Sequence, residues 1–142
     1  MPYRAAVTSP APPAPVQRSF VLWIAAVVVG LVGSAFSLAT TTAAPTAGAA
    51  AGGFVGVVIG LLFLAAIVFC ALRMRQGENW ARLTLTVLGG VSAVFTVLGV
   101  LLTAGLGISL GAVSTIVSLV QAALIVAAIL FAFQAPANAY FR

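Results

Sequence analysis

The seven charged side chains of this 142-residue chain all lie outside four long apolar runs. Arg4, Arg18, Arg73, Arg75, Arg82, Arg142 and the only acid, Glu78, are excluded from residues 19–38, 54–72, 83–106 and 110–133. A segment that crosses a hydrocarbon core must satisfy its own backbone, and about 20 helical residues cover the core's roughly 30 Å. Each run is of that order. The pattern predicts an all-α fold, a four-transmembrane-helix bundle of up-down topology with spans over those four ranges.

Composition closes off the soluble alternative. The chain is 63% hydrophobic and 5% charged, against about 45–50% and about 25% in soluble domains. The net charge of +5 does not make a nucleic-acid surface, because the arginines are few and dispersed. They stand at the ends of the apolar runs, where anionic lipid headgroups supply the counter-charge. Arginine without lysine, amid abundant Ala, Gly and Val, fits a GC-rich bacterial genome, so the expected location is a bacterial cell membrane as a multi-pass protein.

The arginines also predict orientation. Residues 1–18 carry Arg4 and Arg18, residues 73–82 carry Arg73, Arg75 and Arg82, and the C-terminus carries Arg142. The alternate connections, 39–53 and 107–109, carry none. Basic residues mark the cytoplasmic side, which puts both termini there. A cleaved signal peptide is the alternative reading of the first run, with small residues after it. Its 20 apolar residues exceed the usual stretch of about 7–15, and its leader is long and Pro-rich.

Three domain ranges follow. Residues 1–18 hold Pro2, Pro10, Pro12, Pro13 and Pro15 and read as a disordered cytoplasmic tail; residues 19–133 form the membrane domain; residues 134–142 form a short cytoplasmic tail. Pro10 to Pro13 formally matches PxxP, although a solvated tail is the preferred reading. The outer loop, 39–53, is rich in Thr, Ala and Gly and reads as a mobile spacer whose Thr40, Thr41, Thr42 and Thr46 could accept sugars.

The inner loop is the most structured connection. Gly77 suits the left-handed residue that ends a helix, and Asn79 the cap that opens the next. Arg73, Arg75 and Arg82 can reach headgroup phosphates, Trp80 and Tyr140 belong at the interface, and Glu78 can pair with a neighbouring arginine. Arg73, Arg75, Trp80 and Arg82 are therefore the candidate contacts for a lipid or a partner. Residues 75–82, Arg-Gln-Gly-Glu-Asn-Trp-Ala-Arg, followed by an apolar run, resemble the G-x-N-W-A-R cytoplasmic turn of uncharacterised small four-span membrane proteins of actinobacteria with a Pro-rich N-terminal tail. The resemblance implies a fold and a taxon, and no activity.

In lipid, helices associate through small residues and buried polar groups. Gly52, Gly56 and Gly60 form a doubled GxxxG; Gly30 and Ser34, with Ala26, Gly33 and Ser37, form a stripe on the first span; Ser114 and Ser118, with Ala122, form one on the fourth. These stripes suit contacts within the bundle, or else a dimer face. Gln121 lies 12 residues from Phe133, about 18 Å along a helix. An amide facing lipid there costs several kcal/mol. Gln121 is thus expected to face the bundle, level with Thr96, Gly60 and Gly30 to Ser34, and to bond Thr96, Ser34 or a carbonyl beside Gly60.

Catalysis needs groups that exchange protons, attack or bind metal. The chain has no His, Asp or Lys, one carboxylate and one thiol, Cys70. No triad, carboxylate pair or metal cluster can be assembled from it, so no enzyme activity and no cofactor are expected. Ion-coupled transport is weakened by the lack of an ionisable group within the spans. Two functions remain. One is a structural or accessory subunit that binds partner helices or lipids through its small-residue faces and arginine turn. The other is a homo-oligomeric pore or passive facilitator, holin-like, lined by Gln121, Ser and Thr.

Overall fold

The computed structural model describes residues 11–43, 47–107 and 111–141, with side chains described except at 40–43 and 47–53. The chain forms α1 (Ala14–Ala43), α2 (Ala47–Arg75), α3 (Asn79–Gly105), α4 (Ala112–Ala132) and a short α5 (Ala135–Tyr140). The first four are long and apolar enough to cross a membrane; even the 21 residues of α4 extend about 31 Å at 1.5 Å per residue. They make a four-helix bundle. Each helix packs on the next, and α4 closes the ring against α1.

Both described ends of the chain lie beside the α2–α3 turn, at what is here termed the arginine end. The Ser19 hydroxyl donates to the Ala128 carbonyl at 2.8 Å, which ties the start of α1 to the end of α4. The Tyr140 hydroxyl donates to the Arg75 carbonyl at 3.1 Å, which ties α5 to the end of α2.

The helices outrun the apolar stretches that announce them. The first begins at Ala14 rather than at residue 19, so the tail expected over 1–18 contributes its last residues to α1; residues 1–10, Arg4 included, lie outside the described part. Pro15 stands in the first turn, where a missing N–H removes no helical bond. The Gln17 amide donates to Pro13 at 3.1 Å, and Val16 and Ser19 are fully buried. The spacer expected over 39–53 is helical at 39–43 and 47–53, with Pro45 and Thr46 outside the described residues. Alanine-rich sequence favours helix. Within the short tail expected over 134–142, Ala135–Tyr140 form α5, and Ala137 and Phe141 are buried.

Packing is concentrated at the arginine end. Among the described residues none is buried in 31–39, 54–63, 94–107 or 111–121. The core runs from Val16 to Gly30 on α1, Leu64 to Met74 on α2, Ala81 to Ala93 on α3 and Ala122 to Ala132 on α4. The buried stripe of α3, Ala81, Leu85, Gly89 and Ala93, continues along the helix as half-buried Thr96, Val100 and Thr103. In the same half, α4 presents half-buried Ser114, Ser118 and Gln121, and α1 presents Gly33 and Ser34. Large apolar side chains such as Phe54, Leu62, Phe95 and Leu101 point outward, as a lipid solvent requires. The half-buried positions of the far half thus include several small and hydroxyl residues, beside Val57, Val100, Val117 and Gln121.

Candidate functional site

The α2–α3 turn is built by its backbone. Gly77 takes φ +90°, a region that costs an L side chain about 1 kcal/mol or more. The Gly77 N–H donates to Met74 at 3.0 Å and the Glu78 N–H to Arg73 at 3.3 Å, the paired bonds of a Schellman helix end. The residue flanking the start of α3 is Glu78, not Asn79, and its carboxylate makes no capping bond. That carboxylate accepts from Arg73 at 3.0 Å and from the Trp80 indole N–H. Arg73 also lies over the Phe69 ring, 5.3 Å from its centroid.

Arg82 is held more tightly. Its guanidinium sits between Phe133 and Phe141, 4.6 and 4.7 Å from their centroids. It donates to the Asn138 side-chain oxygen at 2.7 Å and to the Ala132 carbonyl at 3.4 Å. Asn138 in turn donates to the Phe133 carbonyl at 3.2 Å. The effect is a clasp in which α5 folds back over the end of the bundle and encloses Arg82. Tyr140 completes it, lying 3.4 Å from where a Cβ on Gly77 would stand. Arg75 is exposed and lies over Phe20, 5.2 Å from its centroid.

The four residues singled out as lipid or partner contacts thus divide. Arg73 and Trp80 converge on Glu78, Arg82 is enclosed by the C-terminal clasp, and Arg75 alone carries a guanidinium left to one aromatic face and the surroundings. Arg142 lies outside the described residues.

A second constellation lies in mid-bundle. A Cβ on Gly30 would stand 2.7 Å from Gln121 Nε2 and 3.1 Å from Leu64 Cδ2, so the amide of α4 occupies the notch that Gly30 leaves in α1. Gly60 faces Ser34, whose Oγ lies 4.0 Å from its Cβ position. The expected bonds from Gln121 to Thr96 or Ser34 are not made. Ser34 donates to the Gly30 carbonyl and Thr96 to the Ser92 carbonyl, each at 2.9 Å, because a helical hydroxyl finds its own chain's carbonyl first. Ser114 likewise donates to Gly111 at 3.0 Å. Ser118 is half-buried. Gly56, expected to pack within the bundle, is exposed and has nothing within 4 Å of its Cβ position. Gly52 falls where side-chain surroundings are not described.

Sequence reasoning missed the residue at the centre. Trp23 is 1% exposed and reaches from α1 across the bundle to α3, where a Cβ on Gly89 would overlap its ring and would stand 3.0 Å from Ile125 Cγ2. With Leu85 and Ile125, both buried, it plugs the axis of the arginine half. Its indole N–H has no partner among the described residues. The only signal for a buried role is Gly89, which continues the four-residue stripe of α3.

Compared with known proteins, the chain matches no family model, no curated protein and no solved structure. It is the four long apolar helices, and not any relative, that mark a multi-pass helical membrane protein.

Proposed function

We propose that this chain is a non-catalytic accessory or structural subunit of a bacterial cell membrane, oriented with its arginine end in the cytoplasm and akin to the small four-span actinobacterial proteins its turn resembles. The observation that carries this reading is the contrast between two glycines. Gly30 is filled from within by Gln121, whereas Gly56 opens onto the bundle's outer surface between exposed Phe54, Val55, Val58 and Ile59. A glycine on a lipid-facing helix surface lets a second backbone approach closely, so the occupant proposed for this face is a transmembrane helix of another membrane protein. In the arginine turn Arg73 pairs with Glu78 and Arg82 is held by α5, which leaves Arg75 as the guanidinium of the turn open to a partner.

The test is affinity purification of the tagged protein from its native membrane in gentle detergent, with mass spectrometry of what co-purifies. A stoichiometric membrane-protein partner should be lost with Gly56→Leu and kept with Gly99→Leu, a substitution of the same kind at an open position on α3. No partner, or equal loss in both variants, overturns the proposal. One observation favours the oligomeric pore instead: Ser34, Thr96, Ser114, Ser118 and Gln121 are all half-buried in the far half. The Trp23 plug weighs against it.

A further inference from the structure

We infer that the groove between the start of α1 and the end of α4 is a binding site for one anionic phospholipid. The groove has a volume of about 430 Å³ and is lined by Ala14, Gln17, Arg18, Val21, Leu22 and Phe131, within the roughly 300–1,000 Å³ of small-molecule sites. Its lining is ordered as an amphiphile is. Gln17 and Arg18 stand at the outer rim, and Val21 and Leu22 lie one turn deeper, with Phe131 facing them from α4. Val21 is 62% exposed, so an acyl chain can lie along it without displacing any core residue.

Charge selects the headgroup. Glu78 is the only acidic side chain in the protein, and it is engaged by Arg73 and Trp80. Arg18 therefore has no acidic side chain to pair with, and its guanidinium can take a phosphate through two parallel hydrogen bonds. Gln17 already donates through Nε2 to the Pro12 carbonyl at 2.9 Å. That fixes its side chain and leaves its amide oxygen to accept from a headgroup hydroxyl. The groove lies at the arginine end, where the apolar run of α1 begins, the depth of a headgroup rather than of a bilayer centre. The inference rests on the membrane location and orientation proposed above and is independent of any protein partner.

The experiment is native mass spectrometry of the full chain released from vesicles of phosphatidylethanolamine with a minor share of phosphatidylglycerol. One phosphatidylglycerol should be retained per chain in preference to the zwitterionic lipid. Arg18→Gln should lower that retention roughly fivefold, the effect of one arginine near a charged surface. Adding Gln76→Arg, which restores net charge at the same end outside the groove, should not recover it. Val21→Trp, which fills the apolar bed from an exposed position and leaves the charge intact, should displace the lipid, while Leu98→Trp on the exposed face of α3 should not. Equal retention of the two lipids overturns the site. So does recovery by Gln76→Arg, which would show a diffuse field, or indifference to Val21→Trp, which would show a phosphate contact without a lipid bed. A missing protein partner in the purification leaves these outcomes unaffected.

Discussion

Gly89 and Gly90 are adjacent in sequence and opposite in environment, and substituting each by alanine isolates the plug. A methyl at Gly89 would overlap the Trp23 ring and press on Ile125 at 3.0 Å. Neither neighbour can withdraw, since Trp23 and Ile125 are 1% and 3% exposed. Forcing one methylene's worth of volume into such a core costs about 1–3 kcal/mol. A methyl at Gly90 meets nothing within 4 Å, and alanine's better helix propensity, worth up to about 1 kcal/mol, makes Gly90→Ala neutral or slightly stabilising. The assay is equilibrium unfolding in mixed detergent micelles, followed by circular dichroism. Adding Trp23→Phe to Gly89→Ala should recover much of the loss, because it removes the overlapping ring and also an indole N–H that has no partner among the described residues, a burial that itself costs about 1–3 kcal/mol. Agreement of the two alanine variants within about 0.5 kcal/mol, the margin for independent sites, or no recovery with Trp23→Phe, would show that Trp23 does not crowd Gly89.

Other substitutions follow the same geometry. Gly30→Ala should cost about 1 kcal/mol, at the low end for overpacking because the Gln121 side chain can swing away, and Gln121→Ser in the same chain should remove that cost in the same unfolding assay. Asn138→Ala breaks the link between Arg82 and α5; a hydrogen bond to a charged group is worth about 1.5–3 kcal/mol, and hydrogen exchange should show α5 opening while α1 to α4 stay protected. Gly77→Val, at φ +90°, should destabilise by about 1–2 kcal/mol through the left-handed backbone alone. Ser19→Ala should cost about 0.6 kcal/mol, the average for an interhelical bond in a membrane.

How far the sequence could be read depended on the kind of force involved. The four spans were legible because excluding charge from hydrocarbon is a large, position-by-position effect, and no arginine violates it. The left-handed turn at Gly77 was legible because few residues take that conformation. The helix ends were not. A spanning helix keeps its backbone bonded through the headgroup region, so Gln17, Arg18 and Arg73 to Arg75 extend helices beyond the apolar runs. The clasp was hidden because its parts, Arg82, Phe133, Asn138 and Phe141, come together only once α3 and α4 are antiparallel neighbours. The depth of Gln121 follows from counting along its helix, whereas its partners depend on rotation about the helix axis, which counting does not give. The outward turn of Gly56 could not be told from an inward one: a GxxxG stripe shows where a backbone can approach, not which helix does.

In the function proposed above this chain works by what it binds and not by what it passes, since Trp23, Leu85 and Ile125 are buried together across the axis of the bundle at the arginine end. The most direct test is solute efflux from liposomes reconstituted with the purified protein, its helical content verified by circular dichroism. Vesicles carrying the protein should hold a small uncharged solute as well as protein-free vesicles do, and Trp23→Ala should raise leakage by opening the plug. Efflux through the unmodified protein that disappears with Gln121→Leu would contradict it and establish the pore.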